Sequence, residues 1–235
     1  MTNFSSLETA FFYTMRAMTH ETQTKPLVRP GPKGGVRDLN RQQKAQAIRD
    51  AALLLFLARG IEAVSVDDIM KSAQMAKGSF YRYFTDQRAL VASLMEPTRV
   101  LITQAFERSS AALERATTRE QTFAAYAIVG DALATALMEH PGPVRLYLQE
   151  SRAPAEGARK PIVELAEVIT RYALGMTLVA QKHGLLKKIP AAVSALTVVG
   201  AAERLLLAVL HDEDIGNPLE IPALLTSLIL DGIKA

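Results

Sequence analysis

The feature that most limits what this chain can fold into is a helical spacing that hardly breaks. From Thr85 onward apolar residues return at three- and four-residue intervals, β-branched runs are few, and no Asn-Gly turn marks a hairpin. Each such stretch buries one stripe and offers no strand to pair, so the expected fold class is all-α. Breaks are expected near Pro97, at Thr117-Thr118, at Pro141-Gly142-Pro143, from Pro154 to Gly157, from Gly184 to Pro190 and from Gly216 to Pro218. They leave about six or seven helices after Thr85, which is read as the N-cap that opens this half.

Shorter stretches precede Thr85. From Asn40 onward Ile48, Ala52, Leu55 and Phe56 share one helical face, and Gly60 supplies a stop. Ser65, with the Asp68 carboxylate in the following turn, has the chemistry of a helix N-cap, and Val66, Ile69, Met70 and Ala73 then form a stripe. Only Gln74, Met75 and Ala76 separate it from the next stripe, a linker of the length that joins the two helices of a helix-turn-helix unit.

The second helix of that unit is expected from Lys77 to Tyr83. At about 100° per residue, Phe80 and Phe84 fall on one narrow apolar face, Gly78, Ser79 and Arg82 on the opposite one, and Tyr81 and Tyr83 on the flanks. That arrangement suits a DNA major groove. A small central surface lets the backbone approach, Arg82 can donate two hydrogen bonds to guanine, and Ser79 can contact any base. The tyrosines can meet the sugar-phosphate walls, Lys77 a phosphate or a guanine, and the Ser65 helix end a phosphate oxygen. Two short helices with aromatic anchors also occur in plain bundles, so this geometry alone leaves both readings open.

The net charge is only +3, but Lys25, Arg29, Lys33, Arg37, Arg41, Lys44 and Arg49 come one after another with only Asp38 opposing them. Such a run is either a solvated tail or a phosphate-binding arm. Pro26, Pro30, Gly31, Pro32, Gly34 and Gly35 prevent helix or core there, so residues 1–39 are expected to be a flexible basic arm, with a short helix around Phe11, Phe12 and Tyr13 left open ahead of the Pro/Gly stretch. Residues 40–90 are then the helix-turn-helix domain and 91–235 a larger helical domain.

Other classes find little support. The chain has no cysteine, which removes disulfides and thiolate metal sites. His211, Asp212, Glu213 and Asp214 are metal-ligand types, yet consecutive helical positions point in different directions, as at a solvated helix end. No nucleophile pattern is present, and Gly31-Pro-Lys-Gly-Gly lacks the ending of a phosphate loop. The chain is expected not to be an enzyme and to use no metal or cofactor. Glu8 and Arg16 interrupt the apolar residues from Phe4 to Met18, and Ile189 to Ala202 is short and Ala-rich. A cytoplasmic protein with no membrane partner is expected.

Val64 to Leu90, VSVDDIMKSAQMAKGSFYRYFTDQRAL, resembles the DNA-binding signature of TetR-family regulators. That signature runs from a capped helix through a tight turn to a Gly-x-aromatic-Tyr-x-His/Tyr-Phe helix. The candidate DNA contacts are Ser65, Lys77, Gly78, Ser79, Tyr81, Arg82, Tyr83 and Thr85, with Arg41 from the basic run. Gln74 stands where the family usually has a turn glycine, so either a left-handed backbone at a small cost or a different turn is expected there. Ala76 replaces a frequent serine cap, and Gln87 a frequent phosphate-binding lysine. The resemblance implies a homodimer that binds a pseudo-palindromic operator in double-stranded DNA and is released, as a repressor, by a small-molecule effector. The alternative is the same fold acting through a protein partner without a ligand.

In the larger domain, helices from Arg159 to His183 and from Ala191 to Leu210 could pair with a second subunit as a four-helix interface, or form monomer core. Phe106, Phe123, Tyr126, Met138, Tyr147, Tyr172 and Met176 are candidate pocket residues, though each taken singly is better read as core. Arg145, Gln149, Glu203 and Arg204 could orient a polar ligand, and Glu203-Arg204 could equally bridge a dimer.

Overall fold

The computed structural model describes residues 35–231. They form eight α-helices and two short 3₁₀ turns, with no strand among the described residues. The α-helices are α1 (Val36–Arg59), α2 (Val66–Ser72), α3 (Gln87–Arg115), α4 (Arg119–Glu139), α5 (Pro141–Glu150), α6 (Lys160–Lys182), α7 (Ala191–Leu210) and α8 (Ile221–Asp231). The fold is all-α.

The chain divides into two units at Arg41 and Gln42. In the first, the described residues are 35–41, the opening of α1. Arg37 and Arg41 therefore stand on a helix that starts at Val36, ahead of the Asn40 expected, with Asp38 in the first turn where a carboxylate complements the helix dipole. Lys25, Arg29, Lys33 and the rest of the basic arm lie outside the described residues.

In the second unit one core joins the helix-turn-helix to the larger half. Ile48, Ala52 and Phe56 of α1 are fully buried with Leu55 beside them, and Gly60 ends the helix at φ 77°. Around them close Ile69 and Met70 of α2, Phe80, Phe84, the first turns of α3, Leu146 and Tyr147 of α5, and Ile162 and Leu165 of α6. The division expected at residue 90 falls inside α3, whose Leu90, Val91 and Leu94 all belong to this core.

Two expectations at α3 are corrected. The helix runs straight through Pro97, where a break was expected. An interior proline costs about 3 kcal/mol. Against that, Leu90, Val91, Leu94 and Met95 are buried before it and Ile102, Ala105 and Phe106 after it, and each large apolar side chain contributes about 1.5–3 kcal/mol. Packing wins. The cap of α3 is Asp86, not Thr85: its carboxylate accepts from the Ala89 N–H at 2.7 Å. Both neighbours have cap chemistry, and spacing cannot separate positions one residue apart.

A second core lies between the far half of α3, α4, α5 and α6, built on Ile102, Phe106, Leu113, Ala125, Val144 and Met176. Ser109 ties α3 to α4, its hydroxyl donating to the Ala125 carbonyl at 2.6 Å. Thr118 opens α4 with a capping box to Gln121, and Pro141 opens α5 at a first-turn position that needs no N–H donor. Small side chains, Ala173 on α6 and Ala195 on α7, bring those helices together. α4 and α7 are long and apolar enough to cross a membrane by length and composition alone.

Candidate nucleic-acid interface and internal cavity

The linker is a helix stop and then one extended step. Gln74 has φ 55°, its N–H reaches the Lys71 carbonyl at 3.1 Å, and the Met75 N–H reaches the Met70 carbonyl at 2.9 Å. These are the paired bonds of a Schellman stop, with glutamine in the left-handed position glycine usually takes. Ala76 is extended and gives no side-chain cap to the next helix.

Lys77–Arg82 winds as a 3₁₀ helix, not the α-helix expected. Its first turn is closed by Ser79, whose N–H and hydroxyl both donate to the Ala76 carbonyl, at 2.9 and 2.6 Å. At three residues per turn, Phe80 and Tyr83 share the inner side and Gly78 and Tyr81 the outer one. The tyrosines are therefore not equivalent flanks: Tyr83 packs on the core, while Tyr81 is 61% exposed. Phe80 and Phe84 are buried as expected, their ring centroids 5.8 Å apart.

Gly78 has no internal explanation. A Cβ there would meet nothing within 4 Å, and its φ lies outside the left-handed range. Arg82, at the end of the same helix, is exposed. Lys77 leans back on α2, its ammonium 2.6 Å from Asp67, and this bond raises its pKa. Ser65 caps α2 in a full capping box: its hydroxyl accepts from the Asp68 N–H at 3.2 Å, while Asp68 accepts from the Ser65 N–H at 3.0 Å. The hydrogen bond from the Ser65 hydroxyl is the main cause holding the Asp68 pKa below its usual value. Gln87 turns inward, its amide donating to the Val64 carbonyl at 2.9 Å, so the start of α3 is tied to the entry of α2.

Within the larger half an apolar cavity of about 130 Å³ opens among α3 to α8. Ile102, Phe106, Leu133, Ile169, Met176 and Val199 form much of its wall. Its polar groups are few. Thr98 and Tyr126 each present a buried hydroxyl without a hydrogen-bond partner, and burial pushes the Tyr126 phenol up to about 12. Tyr147 donates to Glu203 at 2.7 Å, and Arg152 pairs with the other Glu203 oxygen. Thr177 and Thr226 donate to carbonyls of their own helices, Ala173 and Pro222, both at 2.8 Å.

Residues 48–94 match the family described as "Bacterial regulatory proteins, tetR family". This stretch is similar to a TetR-family helix-turn-helix. The chain is 37% identical over 54 residues to the uncharacterized HTH-type transcriptional regulator YuxN of Bacillus subtilis, covering 23% of this chain and 19% of YuxN. It spans between 19% and 29% of the length of the curated relatives it matches. The MbdR regulator from Azoarcus sp. CIB is similar over 82% of this chain and all of its own, with TM-score 0.64 and 18% identity. The FadR regulator from Bacillus subtilis, solved with stearoyl-CoA, is similar over 80% of this chain and 99% of its own, with TM-score 0.59 and 19% identity. At such identities the likeness is one of fold.

The stretch that matches the family model carries Ser65, Lys77, Gly78, Ser79, Tyr81, Arg82, Tyr83 and Thr85, while Arg41 lies in the first unit. Of the pocket candidates, Phe106, Tyr126, Tyr147 and Met176 line the cavity. Tyr172 is one layer out, stacked on Phe106 at 5.2 Å between centroids. Phe123 is half-buried on α4 away from the lining, and Met138 is exposed beside a second, shallower groove between α4, α7 and α8. Glu203 reaches the cavity, but Arg145 donates to the Leu210 carbonyl, Gln149 to that of Phe56, and Arg204 pairs with Glu213. Thr98 was missed because it comes directly after Pro97, which reads as a break.

Proposed function

We propose that this chain is a homodimeric, cytoplasmic transcriptional regulator, a repressor that a small molecule releases from a pseudo-palindromic operator. Gly78 carries the DNA-binding half of the reading. It is a glycine that nothing among the described residues requires, placed on the outer side of a short helix that is anchored by Phe80 and also carries an exposed Arg82. Such a surface lets a backbone approach base edges while a guanidinium addresses guanine.

α3 supports the link between ligand and DNA. Thr98, Ile102 and Phe106 on its middle turns face the cavity, and Gln87 on its first turn holds the Val64 carbonyl beside the reader. A ligand that moves α3 changes the separation of two readers in a dimer, with a coupling of typically about 1–3 kcal/mol. For the dimer contact, α7 offers exposed Val193 and Leu196 and α8 exposed Leu224 and Leu228. An apolar face of this kind marks an interaction surface. The cavity favours a ligand over the alternative of a partner-driven protein with a filled interior.

The test is selection of bound fragments from genomic DNA by the purified protein, and then footprinting and sedimentation. Two protected half-sites about one helical turn apart, bound by a dimer, are expected. Retention of fragments without any common sequence would overturn the operator reading.

A further inference from the structure

We infer that the effector is an uncharged, compact, largely apolar molecule bearing a hydroxyl or carbonyl oxygen, held by the hydroxyls of Thr98 and Tyr126; this rests on the reading of the cavity as an effector site and deepens it.

Thr98 is only 6% exposed, and its hydroxyl and that of Tyr126 have no partner although both line the cavity. A buried donor left unmade is costly, and nearly all buried polar groups in folded proteins are satisfied. Thr98 also passes over the usual threonine bond to its own helix, the bond made by Thr177 and Thr226 in the same wall. A ligand oxygen entering the cavity supplies what these two hydroxyls lack. The rest of the wall is almost wholly apolar, so the remainder of the molecule is hydrocarbon.

Charge is excluded by the same lining. It contains no Lys, Arg or His among the described residues, so a carboxylate or phosphate would lose its hydration without a counter-charge. The one charged lining residue, Glu203, is already held by Tyr147 and Arg152 and does not call for a cationic ligand. Size narrows the class further. A cavity of about 130 Å³ is close to the roughly 150 Å³ that accepts a benzene ring, so a single substituted ring or a short alkyl chain fits.

The experiment compares three probes of one shape, p-cresol, p-xylene and p-toluate, by calorimetry on the full chain. p-Cresol should bind about tenfold more tightly than p-xylene, and p-toluate more weakly than either. Thr98→Val and Tyr126→Phe remove hydroxyls that make no bond within the protein, so both variants should fold with unchanged or higher melting temperature. In the double variant the preference for p-cresol over p-xylene should vanish. Equal binding of p-xylene, tighter binding of p-toluate, failure of all three to bind, or a preference that survives the double variant would overturn the proposal. The underlying effector reading fails separately: p-cresol binding that leaves affinity for the selected DNA unchanged removes the effector role and keeps the ligand class. Release of that DNA by an anionic acyl compound, with no p-cresol binding, does the reverse.

Discussion

Glu150 and Arg159 form a buried ion pair at 2.6 Å, and the other oxygen of Glu150 accepts from the backbone N–H of Ile61 at 3.2 Å. One carboxylate on α5 thus ties the turn between α1 and α2 to the head of α6. A Cβ on Gly60 would lie 3.4 Å from the same oxygen, so the turn packs directly on it. Removing Glu150 leaves Arg159 with only the longer contact to Glu62 at 3.8 Å, a loss of up to about 3–5 kcal/mol. Glu150→Ala should lower the unfolding free energy measured in urea by that amount. Glu150→Gln, which keeps an acceptor for Ile61, should lose less. A urea midpoint unchanged in Glu150→Ala would show that the pair does not hold the turn.

Gln74 sits at φ 55°, where a side chain is strained and glycine is not. The strain is about 1–2 kcal/mol, partly offset by the greater freedom glycine has when unfolded. Gln74→Gly should therefore raise stability by up to about 1 kcal/mol in thermal denaturation, with no change in the helix content seen by circular dichroism.

Gly78 separates stability from DNA affinity. Gly78→Ala adds a methyl group to open space and should leave the melting temperature unchanged or slightly higher, because alanine restricts the unfolded chain. Its affinity for selected DNA should fall at least tenfold, an order of magnitude expected when backbone approach to bases is blocked. Full affinity in Gly78→Ala would move the groove contact elsewhere.

Arg82 and Tyr81 are both exposed, yet different losses are expected. Arg82→Ala should cost about 1–3 kcal/mol and relax discrimination at one base pair per half-site, whereas Tyr81→Phe should weaken all sequences alike. A binding titration against single-base operator variants distinguishes them.

Tyr126 makes stability depend on alkaline pH. Its folded pKa is raised to about 12, from an ordinary value of 10.0, so the folded state holds its proton longer than the unfolded chain. Stability is complete below pH 10 and falls as pH rises toward 12, at up to about 1.4 kcal/mol per pH unit. Tyr147, also raised by burial, adds to the same fall. In urea titrations between pH 9 and 12, Tyr126→Phe should be less steep than the wild-type chain.

The sequence alone determined what depends on neighbours along the chain. Helical period placed Ile48, Ala52 and Phe56 on the buried face, Ser65 was legible as a helix N-cap with a carboxylate in the first turn, and the spelling from Val64 to Leu90 carried the likeness that the family match over residues 48–94 bears out. At Gln74 the resemblance left two outcomes, a left-handed backbone or a different turn, and the structure has the first.

Only the tertiary structure decided the rest. Pro97 stays helical because two cores on either side of it outweigh a local penalty, and no window of sequence contains both cores. Lys77–Arg82 adopts a 3₁₀ winding, and with it Phe80 and Tyr83 share the side that meets the core. The cavity gathers Thr98, Tyr126, Tyr147 and Glu203 from four helices and leaves Met138 outside, a sorting that depends on how helices face one another. Local periodicity fixes which side of a helix is apolar. Which neighbour that side meets, and whether the meeting leaves a space, is set by packing between segments far apart in the chain.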